Sequence, residues 1–170
     1  MKKDINYTEV IKETIEALKK GNVLVCSIDK KGKPNLMAIG WGCIGIVWGQ
    51  PIFSIFIRPS RYTYNLIEQT DDFSVNIFDD KYKKVINWCG SVSGRDYDKF
   101  KETKLTPLKS KYIMSPIVKE GKINFECIVV AKMDINPEML DNEIKERNYK
   151  SGDYHRVYLG KILICYKNFP

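Results

Sequence analysis

The sequence predicts a mainly β fold, a β-barrel with helical insertions. Short apolar segments separated by glycine, proline and turn residues recur along the 170-residue chain, a pattern typical of antiparallel all-β architectures. Several of these segments are apolar on both faces, as barrel strands covered by helices would be. The 44% hydrophobic and 12% aromatic content is that of a globular chain. We therefore expect one domain over residues 1–170 with a substantial core.

The first predicted element is an N-terminal amphipathic helix within residues 1–21. Apolar side chains fall on one stripe of residues 6–20, and Lys and Glu occupy the opposite face. Asn6 followed by Glu9 is an N-cap pattern, and Gly21 is a helix stop signal. Because this N-terminus is charged and not apolar, we expect no secretory signal.

Three strands are predicted next, as an antiparallel meander. The first, Val23–Ile28, leads through a turn to a second strand at residues 36–46. A third follows at residues 52–57, after a turn at Gly49. Residues 34–57 carry no charge and are long enough to cross a bilayer. Because glycines and the turn interrupt them, we interpret them as two buried strands and expect no membrane partner.

The second half of the chain is predicted to alternate helices with strands. Helices are predicted at residues 60–69, 83–88, 96–102 and 136–148, strands at 72–78, 113–118, 122–132 and 154–166, and a flexible loop at 90–94. Residues 134–150 form a charged helical excursion from the barrel. Gly160 inside the last strand predicts a bulge or a close backbone approach.

Cysteine usage and charge restrict the function classes. Five widely spaced cysteines without a CxxC pair, and a single histidine, indicate reduced thiols, no metal site and a cytoplasmic protein. The net charge of +7 suits nucleic acid or anionic small ligands. Lys and Glu alternate as on a solvated surface, so we expect no nucleic-acid partner. A non-enzymatic, basic nucleic-acid-binding barrel remains the alternative outside the enzyme class, because aromatic side chains can stack on bases.

The best physical signal for a binding site lies where the third strand ends and a helix is predicted to begin at Ser60. The first N–H groups of a helix have no internal partner and carry partial positive charge. With Arg58 and Arg61 beside them, and hydroxyls on Ser60 and Thr63, they can form a phosphate cradle. The alternative is that Ser60 only caps the helix and that both arginines are solvated.

Three further segments carry candidate binding groups. Glycines and serines at residues 89–95 can place N–H and O–H donors around a polar ligand, or form an ordinary surface loop. Residues 35–41 offer a small-residue surface on which a planar ring could lie, or a plain core strand. His155 precedes Arg156 at the start of the last strand. Its near-neutral pKa allows proton exchange or hydrogen bonding to a cofactor, although a lone histidine is more often simply packed.

Taken in order, these segments resemble the flavin reductase-like family, the FMN-binding split barrels that include flavoredoxin. The resemblance spans roughly residues 23–166 and rests on the ordered set of motifs, since no single motif is diagnostic. The segments that carry it are residues 29–38, 58–63, 65–67, 73–76, 93–100 and 155–162.

The resemblance implies an FMN-binding split barrel that forms a homodimer, with the flavin near the subunit interface. The FMN phosphate would lie on residues 58–63, the ring and ribityl chain along residues 35–40, and residues 89–95 with Lys99 would cover the cofactor. The expected cofactor-binding residues are Asn35, Leu36, Met37, Ala38, Ile39, Gly40, Arg58, Ser60, Arg61, Tyr62, Thr63, Cys89, Gly90, Ser91, Ser93, Gly94, Arg95 and Lys99.

The same resemblance implies an FMN-dependent oxidoreductase that passes electrons from NADH or NADPH through the bound flavin to a flavin or another acceptor. His155 and Arg156 are the expected catalytic residues, which would tune the flavin or contact the nicotinamide. Family members that use nicotinamide carry Gly-Asp-His before the last strand, whereas Tyr154 here separates Asp153 from His155. This interruption favours the alternative of a flavoredoxin-like electron carrier that is reduced by a protein partner without direct use of NAD(P)H.

Overall fold

The computed structural model describes residues 2–168 as an antiparallel sheet with short helices packed around it. Met1, Phe169 and Pro170, which the predicted domain includes, lie outside the described residues. The strands are β1 Lys2–Ile5, β2 Val23–Ile28, β3 Pro34–Ile39, β4 Gly42–Val47, β5 Gln50–Ile57, β6 Asp72–Ile77, β7 Pro107–Leu108, β8 Ile117–Val118, β9 Ile123–Asp134 and β10 Arg156–Asn168. The helices are α1 Ile11–Lys20, α2 Tyr62–Thr70, α3 Lys83–Ser91, α4 Lys99–Thr103 and α5 Asn142–Asn148, with 3-10 turns at Tyr7–Val10, Asp80–Tyr82 and Pro137–Met139.

The sheet runs in the order β3-β2-β6-β9-β10-β5-β4, with β1 paired to β10 and a separate β7-β8 ribbon. Its pairings are antiparallel. This architecture confirms the predicted mainly β fold with helical insertions. Among the described residues, no helix is long and apolar enough to cross a membrane.

The core lies between the inner faces of the strands and the helices that cover them. Its largest fully buried side chains include Tyr158, Phe53, Phe73 and Phe125. The register of β10 against β9 shifts at Gly160, and a Cβ atom at this glycine would overlap the ring of Phe73. Both parts of the prediction for Gly160, a bulge and a close approach, are therefore confirmed.

The predicted N-terminal helix consists of the 3-10 turn Tyr7–Val10, which Asn6 caps as predicted, followed by α1. The Asn6 side chain accepts a backbone N–H of the first turn, Glu9 accepts the Asn6 N–H, and Gly21 ends α1 in the left-handed region at φ +65°. The prediction that residues 1–21 are helical is wrong for Lys2–Ile5, which form β1. The long β10 offers a free pairing edge beyond β5, and β1 fills it.

The prediction of a single strand at residues 36–46 is wrong, because the strand is interrupted at Gly40 and Trp41. β3 pairs with β2 at one edge of the sheet, whereas β4 pairs with β5 at the other. One straight strand cannot pair at both edges of the sheet. The apolar pattern continues through the break, so periodicity alone does not reveal it.

Other element boundaries also differ from the predicted ones. The helix predicted from residue 60 begins at Tyr62. The helix predicted to end at residue 88 continues to Ser91, so the first two residues of the loop predicted at residues 90–94 belong to α3. Of the strand predicted at residues 113–118, only Ile117–Val118 pairs with another strand. The helix predicted at residues 96–102 begins at Lys99. The helix predicted at residues 136–148 is divided into the 3-10 turn Pro137–Met139 and the helix Asn142–Asn148.

Candidate functional site

A cavity of about 720 Å³ lies where β3, the start of α2, the end of α3, the α3–α4 connection and the start of β10 meet. Its volume is within the range of small-molecule sites. Every expected cofactor-binding residue lines it except Leu36, and of the two expected catalytic residues only His155 does. The lining residues outside the expected list are Trp41, Phe56, Val92, Asp96 and Tyr97.

Leu36 and Arg156 are excluded from the cavity by strand geometry. Successive side chains of a strand point to opposite faces, so the side chains of Leu36 and Arg156, which follow the lining residues Asn35 and His155, point away from the cavity. Leu36 is fully buried in the core. Arg156 donates to both carboxylate oxygens of Asp134, at 2.6 and 2.7 Å, and lies 3.4 Å from Glu68. The structure therefore gives Arg156 an ion-pair network outside the cavity.

The α2 N-terminus forms part of the cavity wall. The residue before the helix, Arg61, makes no side-chain cap, so first-turn N–H groups of α2 at Tyr62 and Thr63 keep no capping partner. In residues 2–168 no hydrogen bond or ion pair to the Arg61 side chain is found, and its charge contributes to a lowered pKa at both Lys99 and His155. An unpaired cation beside free helix N–H groups suits a phosphate.

Ser60 and Arg58 have other partners than the predicted cradle. The Ser60 hydroxyl donates to the Asp153 carboxylate at 2.6 Å, so Ser60 is not the cap of α2. The Arg58 guanidinium donates to the carbonyl oxygens of Asn148 at 2.7 Å and Asp153 at 3.0 Å. Both side chains thus fasten the segment before β10 to the cavity rim. Arg58 contributes charge to the site, while Arg61 is the arginine left free for an anion.

Two close backbone approaches shape the middle of the cavity. A Cβ atom at Gly94 would overlap Asn35 Oδ1 and lie 3.0 Å from the Tyr62 ring, and one at Gly90 would lie 3.3 Å from Ala38 Cβ. Asn35 is itself held by a 2.9 Å hydrogen bond from its Nδ2 to the Thr63 hydroxyl. Gly94 is therefore required by close packing against Asn35 and Tyr62, whereas an added methyl group at Gly90 would only press on Ala38.

Lys99 and Cys89 form a buried pair under the loop. Lys99 Nζ donates to the Cys89 carbonyl at 2.6 Å. Burial lowers the pKa of Lys99, and the Arg61 cation lowers it further. Burial raises the pKa of the Cys89 thiol to about 11, so it carries a proton at neutral pH and is not a reactive thiolate. Among the described residues, no three His, Cys, Asp or Glu side chains lie close enough together to hold a metal ion.

Aromatic side chains line the cavity around His155. Its ring centroid lies 4.7 Å from that of Trp41 and 6.4 Å from that of Phe56. Burial and the Arg58 cation lower the pKa of His155 to about 4, so the ring is neutral at physiological pH. Phe56 could have been found in the sequence, because it lies two residues before Arg58 and so shares its face of the strand.

Comparisons with known proteins show the family and the fold of the chain. The family model described as flavin reductase like domain matches residues 15–165. An uncharacterized protein of Archaeoglobus fulgidus is 30% identical over 131 residues, which cover 77% of this chain and 64% of that protein. The chain spans about half to just under two thirds of the length of the curated relatives it matches.

Solved structures share the fold. Flavoredoxin from Methanosarcina acetivorans matches with a TM-score of 0.68 and 26% identity, over 86% of this chain and 67% of that one. A protein from Shewanella frigidimarina described as a flavin reductase with a split barrel domain matches with a TM-score of 0.70 and 19% identity, over 92% and 78%. An FMN-binding protein from Thermus thermophilus matches with a TM-score of 0.65 and 20% identity, over 85% and 68%.

Proposed function

Because the chain belongs to the flavin reductase-like domain family, we propose that it binds FMN in the cavity between β3, α2 and the start of β10 and acts as an FMN-dependent oxidoreductase. The family assignment favours the flavin hypotheses over the nucleic-acid-binding barrel. The sections of chain that the family resemblance relates to the cofactor line one cavity, which supports the proposal.

The combination of cationic and aromatic groups in this cavity is the observation that carries the proposal. Four cationic side chains and a single carboxylate line it, and they are Arg58, Arg61, Arg95, Lys99 and Asp96. Arg61 adjoins the uncapped α2 N-terminus, whereas Trp41 and Phe56 form an aromatic cluster with His155 beside Arg58. A ligand that joins a phosphate to a planar ring matches both groups.

Backbone groups of β3 support a place for the flavin ring. β3 is an edge strand of the sheet, paired on one side with β2. The N–H and C=O groups on its other side are not used in sheet pairing, and residues 37–40 line the cavity. We assign these groups to the polar edge of the ring, with the small side chain of Ala38 and the bare backbone of Gly40 allowing close contact.

Bound FMN would supply the hydride and electron transfer chemistry, and the protein would supply binding, orientation and access. Arg61 and the α2 N–H groups hold the anionic end. Lys99 is locked to a carbonyl, Cys89 is protonated and His155 is neutral. These residues act by position and charge, and none needs to transfer a proton as a general acid or base.

NADH or NADPH is the proposed electron donor. The interrupting Tyr154 does not line the cavity, so it leaves the approach to His155 open. A second cavity of about 520 Å³, formed with α5 residues, shares Trp41 with the first and offers further room for a donor. The flavoredoxin-like carrier remains the second candidate, because the Gly-Asp-His motif is interrupted by Tyr154.

Anaerobic titration of the FMN-loaded chain separates the two candidates. We expect NADH or NADPH to bleach the visible bands of the oxidised flavin, and comparison of the two identifies the preferred donor. If dithionite bleaches the bands but neither nicotinamide does, the reductase proposal is wrong and the carrier takes its place. If the folded chain takes up no FMN, both candidates are wrong.

A further inference from the structure

Tyr149 lies directly behind His155, outside the cavity lining. It follows the C-terminal end of α5 and is 4% exposed. Its hydroxyl oxygen lies 2.8 Å from Nδ1 of His155, and the edge of one ring meets the face of the other at an 80° interplanar angle. The two side chains therefore form a buried hydrogen-bonded pair at the aromatic cluster of the site.

The surroundings of the Tyr149 hydroxyl fix the direction of this hydrogen bond. Burial raises the pKa of Tyr149, and the Arg58 cation opposes that rise. Among residues 2–168 the buried Tyr149 hydroxyl makes one hydrogen bond, with Nδ1 of His155, so Nδ1 is the acceptor available to its proton. The opposite arrangement, with the proton on Nδ1, leaves a buried O–H donor unsatisfied, which is unfavourable.

With Nδ1 acting as acceptor, the proton of the neutral imidazole lies on Nε2. No hydrogen bond to Nε2 is found among the described residues, and Nε2 is not one of their buried polar atoms without a partner. Since His155 lines the cavity, its Nε2–H is accessible from there. A neutral N–H donor suits an uncharged acceptor atom.

Two groups hold Tyr149 in place. The Tyr154 ring stacks on it, with centroids 4.7 Å apart and an interplanar angle of 22°. The Arg58 guanidinium lies 5.1 Å from the Tyr149 ring centroid. The tyrosine that interrupts the Gly-Asp-His pattern therefore supports the partner of the histidine without entering the site.

We propose that Tyr149 is a positioning residue that holds His155 as a neutral Nε2–H donor toward an uncharged carbonyl oxygen of the ligand in the cavity. Only the identity of that ligand rests on the proposed function. The carbonyl belongs either to the flavin ring or to the carboxamide of a nicotinamide. In both cases the Nε2–H tautomer makes the contact possible, and the hydrogen bond from Tyr149 stabilises that tautomer.

The single histidine of the chain makes the tautomer directly measurable. The full chain, 15N-labelled and freed of any polyhistidine tag, gives one imidazole pattern in a long-range 1H–15N correlation spectrum. At neutral pH we expect a protonated Nε2 and an unprotonated Nδ1. A spectrum with the proton on Nδ1, or on both nitrogens, overturns the proposal whether or not FMN binds.

The substitution Tyr149→Phe removes the hydroxyl and keeps the ring. We expect the single tautomer to become a mixture and the midpoint of the His155 pH titration to rise toward the ordinary value of histidine. The matched control is Tyr154→Phe, which keeps the stacked ring and leaves the pattern of the unsubstituted chain. An unchanged tautomer in Tyr149→Phe contradicts the positioning role, and if this variant does not fold, the spectrum of the unsubstituted chain still decides.

Stepwise addition of FMN and then of NAD⁺ to the labelled chain tests the ligand. A shift of the Nε2–H resonance on adding FMN identifies the flavin carbonyl, and a shift only after NAD⁺ identifies the carboxamide. If the visible spectrum shows that FMN is bound but Nε2–H responds to neither ligand, the ligand part of the proposal is wrong. If FMN does not bind, the proposed function fails and this ligand assignment with it, while the tautomer result stands separately.

Discussion

Arg58 and Arg61 belong to the same short segment and carry the same charge, yet their surroundings give them different tasks. Arg58 donates to backbone carbonyls of the segment before β10. Arg61 precedes α2 without a capping bond and lines the cavity. The sequence predicts a cationic helix start, but the partners of each guanidinium depend on residues some 90 positions away. Only the fold distinguishes the anion ligand from the structural cation.

Arg61→Gln is expected to weaken FMN binding through the phosphate. A charge-assisted hydrogen bond contributes about 1.5–3 kcal/mol, so the FMN dissociation constant should rise roughly ten- to a hundredfold. Riboflavin lacks the phosphate, and its affinity should not change. Fluorescence titration with FMN and with riboflavin tests this prediction. An equal loss of affinity for riboflavin would place Arg61 at the flavin ring and not at the phosphate.

Gly94→Ala is expected to close the middle of the cavity. The added methyl group would overlap Asn35 Oδ1 and press on the Tyr62 ring, and overpacking of this kind costs about 1–3 kcal/mol. We expect a lower unfolding midpoint and weaker FMN binding. Gly45→Ala, where nothing lies within 4 Å of the added atom, is the matched control. Wild-type FMN affinity in Gly94→Ala would contradict the assignment of this loop to the cofactor.

His155 should make the stability of the fold depend on pH. Burial and Arg58 lower the pKa of His155 from 6.5 to about 4 in the folded chain, so the unfolded chain binds a proton first as the pH falls. The contribution of neutral, buried His155 to the free energy of unfolding is complete above the pKa of the unfolded chain. It is lost progressively as the pH falls from that pKa to the pKa of the folded chain. Across this pH window, a plot of the urea unfolding midpoint against pH should have a different slope for the wild type than for His155→Phe. Parallel pH profiles would show that His155 titrates normally.

At the scale of elements, the helix caps and the Gly160 bulge were predictable because they depend on neighbouring residues. The Asn6–Glu9 capping box, the left-handed Gly21 and the irregular register at Gly160 are all present. The break between β3 and β4 and the β1 strand were not, because each is decided by pairing with distant strands. Leu36 and Arg156 were misplaced because a contiguous motif was assigned to the site, whereas their side chains point to the opposite face of the strand from Asn35 and His155.

The segment between α5 and β10 is held at the cavity by Arg58. Arg58→Gln should therefore loosen it, and the amides of Tyr149 and Gly152, which bond within this segment, should exchange roughly tenfold faster if about 1.4 kcal/mol of local stability is lost. Hydrogen exchange with mass spectrometry detects the change. Arg95→Gln is the control, because Arg95 donates to Ser60 and not to this segment. Equal exchange in the two variants would show that Arg58 does not fasten the segment.

For the whole molecule, the resemblance of the ordered motifs to the flavin reductase-like family predicted the fold, because a family shares its fold. The homodimer that the same resemblance implies is a property of the surface. Trp48 is 66% exposed at the β4–β5 turn and, with Gly49, adopts a positive φ. A tryptophan is an unusual choice in such a turn, which favours Asn-Gly. The two-residue turn requires the positive φ at both positions, and a partner subunit would explain why an exposed tryptophan is present there.

Trp48→Asn suits this turn and removes the large apolar side chain. We expect sedimentation velocity to show a dimer for the wild type and a monomer for this variant, with the fold retained. Tyr112→Asn, another exposed aromatic position, should stay dimeric. A wild-type monomer would remove the homodimer from the proposal.

Equilibrium titration of the flavin-free, folded chain with FMN tests whether the cavity is a flavin site. We expect saturation at one FMN per chain, the visible bands of protein-bound flavin, and a clear loss of affinity in Arg61→Gln but not in Gly45→Ala. A chain that keeps its fold and binds no FMN would contradict the assignment of the cavity.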